Sequence, residues 1–86
     1  MSRQTPIVIY TTRWCGDCLR SKSVLMSNDV SYTEIDIETD PQASEKVESL
    51  NKGLRVVPTI VFPDKSILSE PSNSELETKL RQLKLV

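Results

Sequence analysis

The chain has 86 residues, of which 37% are hydrophobic and 27% are charged, an ordinary composition for a globular domain. Eleven Lys and Arg against twelve Asp and Glu leave a formal net charge of −1, so the basic excess of a nucleic-acid-binding protein is missing. The sequence has no histidine and two cysteines, which excludes histidine-dependent catalysis and leaves one chain short of the four ligands of a structural zinc site.

Nothing in the sequence divides the chain, because it shows no repeat, no low-complexity segment and no linker. We therefore expect a single domain over residues 1–86. The opening residues MSRQTPIVIY carry one basic residue and a four-residue apolar run, which is shorter than the apolar core of a secretory signal or a membrane span. This predicts a cytoplasmic protein, and a permanent structural disulfide is not expected in that reducing compartment.

The first half of the chain is predicted to fold as strand, helix and strand. Residues 7–10 form a short, β-branched apolar run, which is typical of a strand buried on both faces. A helix is predicted over residues 18–28, and residues 32–37 alternate between polar and apolar as a second strand does. We expect one arc of this helix to form a buried face made of Cys15, Cys18, Leu19, Leu25 and Met26.

The next predicted helix lies in residues 40–53. Asp40 suits its N-cap, Pro41 its first turn and Gly53 its C′ position. Its apolar stripe consists of Ala43, Val47 and Leu50.

The chain then continues with a predicted hairpin and a final helix. Strands at residues 59–62 and 66–69 flank a turn that contains Pro63 and Asp64. Ser72 and Glu75 have the spacing of a capping box, and the helix that they begin would bury Leu76, Leu80 and Leu83. The predicted order is β-α-β-α-β-β-α, with the first two strands parallel and the last two an antiparallel pair.

Both cysteines lie in the stretch TTRWCGDC, separated only by Gly16 and Asp17. A C-x-x-C motif between a buried strand and a helix indicates a redox centre. The helix N-terminus would stabilise a thiolate at Cys15, whereas Cys18, one turn further, would be more shielded. Cys15 would attack a disulfide and Cys18 would resolve the resulting mixed disulfide. Arg13 would assist ionisation of Cys15, and we expect Asp17, which would oppose it, to point to solvent.

A second informative stretch is VVPT, at residues 56–59. By pattern alone Pro58 is an ordinary strand-initiating residue. Combined with the C-x-x-C motif, the stretch resembles the thioredoxin superfamily and, within it, the glutaredoxins. The resemblance implies an α/β, thioredoxin-like fold with a four-stranded mixed sheet flanked by three helices. It also implies a cis peptide bond before Pro58 and a backbone at Val57 that pairs with a bound thiol peptide like an added strand.

The resemblance covers nearly the whole chain and is strongest to the mycoredoxins, actinobacterial glutaredoxin-like proteins that reduce mixed disulfides with mycothiol. It rests on Trp14, Cys15, Gly16, Asn51, Gly53, Arg55, Val57, Pro58, Pro71 and Ser72. The segment with which other glutaredoxins grip glutathione is replaced by SEPSNS at residues 69–74. The resemblance implies a thiol–disulfide oxidoreductase that reduces mixed disulfides between proteins and a low-molecular-weight thiol, mycothiol or glutathione. No tightly bound cofactor and no metal are expected.

Candidate substrate-binding residues follow from the resemblance and from side-chain chemistry: Thr12, Arg13, Trp14, Arg55, Val57, Pro58 and Ser72. Thr12 stands where glutathione-using relatives often carry a lysine. Trp14 would either form an apolar rim for substrate or cover the core. Arg55 would either hold a substrate carboxylate or remain a solvated side chain. The helix start at Ser72 would accept a carboxylate, although Glu70 beside it opposes an anion.

Two further functions stay open at this point. One is a glutaredoxin-like protein-disulfide reductant supplied by thioredoxin reductase, similar to the electron donors of ribonucleotide reductase. The other is an iron–sulfur cluster protein in which two chains each supply Cys15. In the main interpretation the protein is a monomer whose partners are a small thiol, protein disulfides or mixed disulfides, and a disulfide or thioredoxin reductase, with neither nucleic acid nor membrane involved.

Overall fold

The computed structural model describes residues 7–85 and follows the predicted order of strands and helices. The elements are β1 (Ile7–Thr11), α1 (Gly16–Ser27), β2 (Tyr32–Asp36), α2 (Pro41–Leu50), β3 (Thr59–Val61), β4 (Ile67–Ser69) and α3 (Asn73–Gln82). The sheet has the strand order β2-β1-β3-β4. β1 and β2 are parallel, and β3 is antiparallel to both β1 and β4. The predicted α/β, thioredoxin-like fold is confirmed, while the domain limits of 1–86 extend beyond the described residues.

Two apolar clusters hold the helices and the sheet together. Alternate residues of a strand point to opposite faces, so β1 contributes Ile9 to one cluster and Tyr10 to the other. The larger cluster contains Ile7, Ile9, Val24, Leu25, Ile60, Phe62, Leu76 and Leu80. The smaller contains Tyr10, Ile37, Ala43 and Val47. Helices α1 and α3 therefore pack on one side of the core, and α2 packs on the other.

The buried face of α1 differs from the prediction. The helix begins at Gly16 rather than at residue 18, and it buries Cys18, Ser21, Val24 and Leu25. Leu19 and Met26 are each 61% exposed, so the prediction that they share one buried arc with Cys18 and Leu25 is wrong. Each follows a buried residue directly, and one residue turns an α-helix by about 100°, which carries both side chains away from the core.

The ends of α2 are set by local hydrogen bonds. The Asp40 carboxylate accepts the N–H of Ala43 at 3.1 Å, so the predicted N-cap is confirmed. The C-cap is Asn51, and the C′ position expected for Gly53 is therefore taken by Lys52, with Gly53 (φ 89°) following it. The Gly53 N–H donates to the Glu48 carbonyl at 2.7 Å, which is the hydrogen bond from C″ to C3 of a Schellman motif.

The hairpin and α3 follow the prediction with small changes at the strand ends. In the turn, the Asp64 carboxylate accepts the Ser66 N–H at 3.0 Å. The predicted capping box is confirmed, because Ser72 Oγ accepts the Glu75 N–H at 3.0 Å and Glu75 Oε1 accepts the Ser72 N–H at 2.8 Å. Leu76 and Leu80 are buried, and Leu83 packs against them in the larger cluster. Among residues 7–85, no helix combines the length and the apolar content that crossing a bilayer requires.

Candidate active site

The two cysteines lie where β1 gives way to α1, and they form a disulfide. Their Cα atoms are 5.2 Å apart, which is within the usual range for a disulfide. Cys15 is the N-cap of α1, and its Sγ accepts the backbone N–H of Cys18 at 3.0 Å. Cys15 is 8% exposed and Cys18 only 1%, so Cys15 is the more accessible sulfur. The two sulfur atoms are therefore placed to form a reversible disulfide at the start of α1.

Charged side chains around the cysteines are largely paired with one another. The Asp17 carboxylate forms an ion pair with Arg20, one turn further along α1, and about half of the Asp17 side chain is exposed. Asp17 therefore faces solvent, as expected. Arg13 is extensively exposed, and its Nε lies 4.0 Å from Asp36 Oδ2. The positive charge of Arg13 is thus shared with a carboxylate, which weakens the help that it gives to ionisation of Cys15.

Thr12 forms part of the buried floor beneath the cysteine loop. Its carbonyl accepts the N–H of Cys15 at 3.4 Å, and its side chain is only 6% exposed. Among the side chains of residues 7–85, Thr12 Oγ1 is a fully buried polar atom without a hydrogen-bond partner. A buried hydroxyl without a partner is costly unless a ligand or water satisfies it, and Thr12 remains a predicted binding residue.

The VVPT stretch lies against the cysteines. The Val57–Pro58 peptide bond is cis, as the resemblance implies, and Pro58 is buried. The Val57 carbonyl oxygen is 3.9 Å from Cys15 Sγ. Because the sulfur has no proton in the disulfide, this is a packing contact. It places the backbone of Val57 beside the more accessible of the two sulfur atoms.

Trp14 stands out from the surface next to Cys15. Its side chain is 73% exposed, so it does not cover the core, and the alternative of an exposed rim is the one that fits. The indole Nε1–H donates to Glu38 Oε2 at 3.2 Å. The site thus combines an N-cap cysteine, a shielded partner cysteine, a cis-proline backbone and an exposed aromatic side chain.

The glutaredoxin family model matches residues 7–67. The chain belongs to the glutaredoxin family. It is 50% identical over 74 residues to the Mycobacterium tuberculosis protein named "Putative glutaredoxin Rv3198A", a match that covers 86% of this chain and 88% of the relative. It is 36% identical over 78 residues to "Mycoredoxin 1" of Corynebacterium glutamicum, with 90% and 95% covered. Among solved structures, the thioredoxin-like protein BC3987 is similar with a TM-score of 0.70 and 28% identity, over 90% of this chain and 97% of that one.

These relationships confirm that this glutaredoxin is a thiol–disulfide oxidoreductase with its cysteine pair at Cys15 and Cys18. Among residues 7–85, no group of three or more Cys, His, Asp or Glu side chains is arranged to hold a metal ion.

Two predicted binding residues are not brought against the cysteines by any contact that the structure describes. Arg55 is exposed and forms no ion pair with another described residue. Ser72 is exposed as well, and its capping box already uses the N–H groups of Ser72 and Glu75. The Glu70 N–H donates to the Pro58 carbonyl at 2.9 Å, which ties the segment before α3 to the cis-proline turn. Arg55 and Ser72 therefore remain predictions for substrate binding.

Asp36 and Glu38 lie at the site although no sequence motif predicts them there. Both follow or end β2, which runs parallel to β1 with Thr11 opposite Asp36. The carboxyl ends of parallel strands meet at one edge of the sheet, so residues that follow β2 lie beside residues that follow β1. The parallel pairing of β1 with β2 could therefore have predicted that Asp36 lies near Arg13 and that Glu38 lies near Trp14.

Proposed function

We propose that this glutaredoxin reduces mixed disulfides between proteins and a low-molecular-weight thiol, and that mycothiol is this thiol. The observation that supports the reaction most directly is the position of Cys15. Its sulfur caps α1, accepts the Cys18 N–H at 3.0 Å and lies 3.9 Å from the Val57 carbonyl. The choice of mycothiol is supported by the likeness to Mycoredoxin 1 and by the absence of the glutathione-gripping segment from residues 69–74.

In the proposed reaction, the Cys15 thiolate attacks the sulfur that belongs to the small thiol. The protein thiolate leaves, and Cys15 becomes disulfide-bonded to the small thiol. Either a second molecule of the thiol or the thiolate of Cys18 then breaks this bond. The first route releases the small thiol's own disulfide and a Cys15 thiolate. The second releases the small thiol and leaves the Cys15–Cys18 disulfide, which two further thiols reduce.

The N-cap position helps both steps, but not equally. The Cys18 N–H and the helix N-terminus stabilise negative charge on the Cys15 sulfur. A lower thiol pKa gives more thiolate but also a weaker nucleophile, so attack by Cys15 gains little. The larger benefit comes when Cys15 is the leaving group, because a more stable thiolate leaves faster.

The proposal assigns substrate contacts to Val57, Trp14 and Thr12. The backbone of Val57 would pair with the cysteinyl part of the substrate. Trp14 would lie against its apolar surface, and the buried Thr12 hydroxyl would gain a hydrogen-bond partner. The proposal also includes two predictions made from the sequence: a disulfide or thioredoxin reductase supplies the reducing equivalents, and the protein is cytoplasmic.

Mass spectrometry of a Cys18→Ser variant tests the proposal. The reduced variant is offered mycothiol disulfide and glutathione disulfide separately, and the intact protein is weighed over time. We expect rapid formation of the mycothiol adduct and slow formation of the glutathione adduct. A Cys15→Ser variant, which retains Cys18, is the matched control and should form no rapid adduct.

Two results would contradict the proposal. An adduct that forms only with glutathione would show that glutathione, and not mycothiol, is the thiol that the protein uses. No adduct with either thiol, while the wild-type protein still reduces a protein disulfide in the presence of thioredoxin reductase, would support a protein-disulfide reductant instead.

A further inference from the structure

Glu38 is held beside the active site by a turn with several fixed points. The Ile37 N–H donates to the Thr11 carbonyl at 3.0 Å, and Ile37 itself is 2% exposed in the smaller apolar cluster. The N–H of Glu38 donates to the Asp36 carboxylate at 2.8 Å. A buried neighbour and two hydrogen bonds therefore set the direction in which the Glu38 side chain leaves the backbone.

The carboxylate of Glu38 differs from those of Asp17 and Asp36 in forming no ion pair with another residue in the described part of the chain. Asp17 is paired with Arg20, and Asp36 lies near Arg13. Glu38 accepts its hydrogen bond from the neutral indole of Trp14, and it takes part in no ion pair with any residue from 7 to 85 that the structure describes. A carboxylate without an ion-pair partner among residues 7–85 thus lies against the exposed indole of Trp14, the residue that precedes Cys15.

We propose that Glu38 is a specificity-determining residue that makes this glutaredoxin select against anionic thiols and anionic mixed disulfides at the Trp14 rim. The proposal rests on the proposed function, since it assumes that the substrate thiol lies on Trp14. A thiol compound with free carboxylates meets like charge at Glu38. A neutral thiol rich in hydroxyl groups meets a hydrogen-bond acceptor there, because the second carboxylate oxygen and the remaining lone pairs are available. The substrate class is therefore uncharged or cationic near the sulfur.

Alkylation of Cys15 isolates this effect from the chemistry of the physiological thiol. Iodoacetamide and iodoacetate react at the same sulfur and differ by one negative charge. The ratio of their second-order rate constants cancels changes in thiolate fraction and nucleophilicity. The measurement is made on the Cys18→Ser protein, in which Cys15 is the sole remaining cysteine, with and without Glu38→Gln. Glutamine keeps an oxygen that accepts the indole N–H and removes only the charge.

We expect Glu38→Gln to raise the iodoacetate-to-iodoacetamide ratio about twofold at low ionic strength, the effect of one unit charge acting over about 10 Å of water. The increase should disappear in about 1 M NaCl, where the Debye length is about 3 Å. Asp29→Asn is the matched control. Asp29 follows the far end of α1, a helix of 12 residues, and is therefore about 18 Å from its start. At that distance the same estimate allows an increase of at most about 1.5-fold, so this variant should raise the ratio less than Glu38→Gln does.

An unchanged ratio in Glu38→Gln, an equal increase in Asp29→Asn, or an increase that persists at high salt would overturn the proposal. A Glu38→Ala variant, which removes the charge together with the acceptor, should give the same increase. None of these outcomes depends on which small thiol the protein uses. Failure of the mycothiol experiment and failure of this proposal are therefore separate results.

Discussion

The sulfur of Cys15 lies 3.9 Å from the carbonyl oxygen of Val57, although the two residues are 42 positions apart in the sequence. The antiparallel pairing of β1 with β3, which sets Tyr10 opposite Thr59, brings the residues after β1 to the residues before β3. The backbone of Val57 therefore lies next to the more accessible sulfur. The sheet, rather than either loop alone, brings Cys15 and Val57 together.

Placing the Cys15 sulfur at the N-cap predicts that the pKa of its thiol in the reduced protein lies below the ordinary cysteine value of about 8.5. The cause is the N–H of Cys18 together with the positive end of α1. The rate of iodoacetamide reaction with the Cys18→Ser protein, measured against pH, gives the midpoint. A midpoint at or above about 8.5 would contradict this assignment.

The ion pair of Asp17 with Arg20 allows a second test of the charges that act on the Cys15 thiol, with the same pH midpoint as the readout. Arg20→Ala leaves the Asp17 charge unneutralised and should move the Cys15 midpoint to higher pH. In an Asp17→Asn background the same Arg20→Ala change should have a smaller effect, because without the ion pair the exposed Arg20 side chain can move away from the cysteines into solvent. Equal shifts in the two backgrounds would mean that Arg20 acts on the sulfur directly and not through Asp17.

Local signals in the sequence were enough to predict the order of the elements and the beginnings of two helices. Asp40 at the N-cap of α2 and the Ser72–Glu75 capping box are confirmed because a cap depends on residues three positions apart. The face of α1 was predicted less well. Apolar residues occur on two neighbouring arcs of this helix, and only the packing of α1 against α3 and the sheet decides which arc is buried.

The two arcs of α1 give a matched pair of substitutions. Leu25 is fully buried and Leu19 is 61% exposed, so the same leucine-to-alanine change samples the core at one site and the surface at the other. Leu25→Ala should lower the free energy of unfolding by about 2–5 kcal/mol, and Leu19→Ala should change it by no more than about 0.5 kcal/mol. Urea unfolding measures both. A loss at Leu19 as large as that at Leu25 would contradict the burial of α1 described above.

The active site shows a similar division between local and tertiary information. Cys15 and Cys18 could be predicted from one short motif, because their spacing and their position at a helix start carry the chemistry. The contact of Trp14 with Glu38 joins residues 24 positions apart. Trp14 lies in a loop and Glu38 in a turn, and neither segment has a periodic sequence pattern. Their contact can therefore be predicted only once the parallel pairing of β1 with β2 is known.

Glu34 connects β2 to both β1 and α1, and it predicts a dependence of stability on pH. Its carboxylate accepts hydrogen bonds from Lys22 and from Thr11, each at 2.8 Å. The bond from Lys22 is the main cause that lowers the pKa of Glu34 below its ordinary value of 4.5, and burial opposes the shift in part. The folded protein thus binds this proton less tightly than the unfolded chain. The contribution to stability is present above the unfolded pKa and is lost as pH falls through the folded pKa.

Lys22→Gln should therefore destabilise the protein at neutral pH and have less effect in acid. Because the pair is partly exposed, we expect about 0.5 kcal/mol at pH about 7, with the difference shrinking once Glu34 is protonated. Urea midpoints of the wild type and the variant, measured at neutral pH and in acid where Glu34 is protonated, check this. Lys46→Gln, on the exposed side of α2, is the control for removal of a lysine charge. A difference that is the same at both pH values would show that Lys22 stabilises the fold by packing and not by charge.

Tyr10 predicts a second titration, at the alkaline end of the stability range. Its phenol lies in the smaller apolar cluster. Burial first, and then the negative charge of Asp40, raise the pKa of Tyr10 above its ordinary value of 10.0. Both effects disfavour the phenolate, so the folded protein keeps this proton to higher pH than the unfolded chain does. The resulting contribution to stability is present below the unfolded pKa and is lost as pH rises through the folded pKa.

The ultraviolet absorbance of tyrosinate follows this titration directly, because the chain has two tyrosines and Tyr10→Phe removes one of them. We expect Tyr10→Phe to remove the component that ionises at the higher pH. Asp40→Asn should move that component part of the way toward lower pH, since burial, the larger cause, remains, and asparagine is as good an N-cap for α2 as aspartate. A high-pH component that survives in Tyr10→Phe would assign it to the other tyrosine. An upward shift in Asp40→Asn would contradict the electrostatic influence of Asp40 on Tyr10.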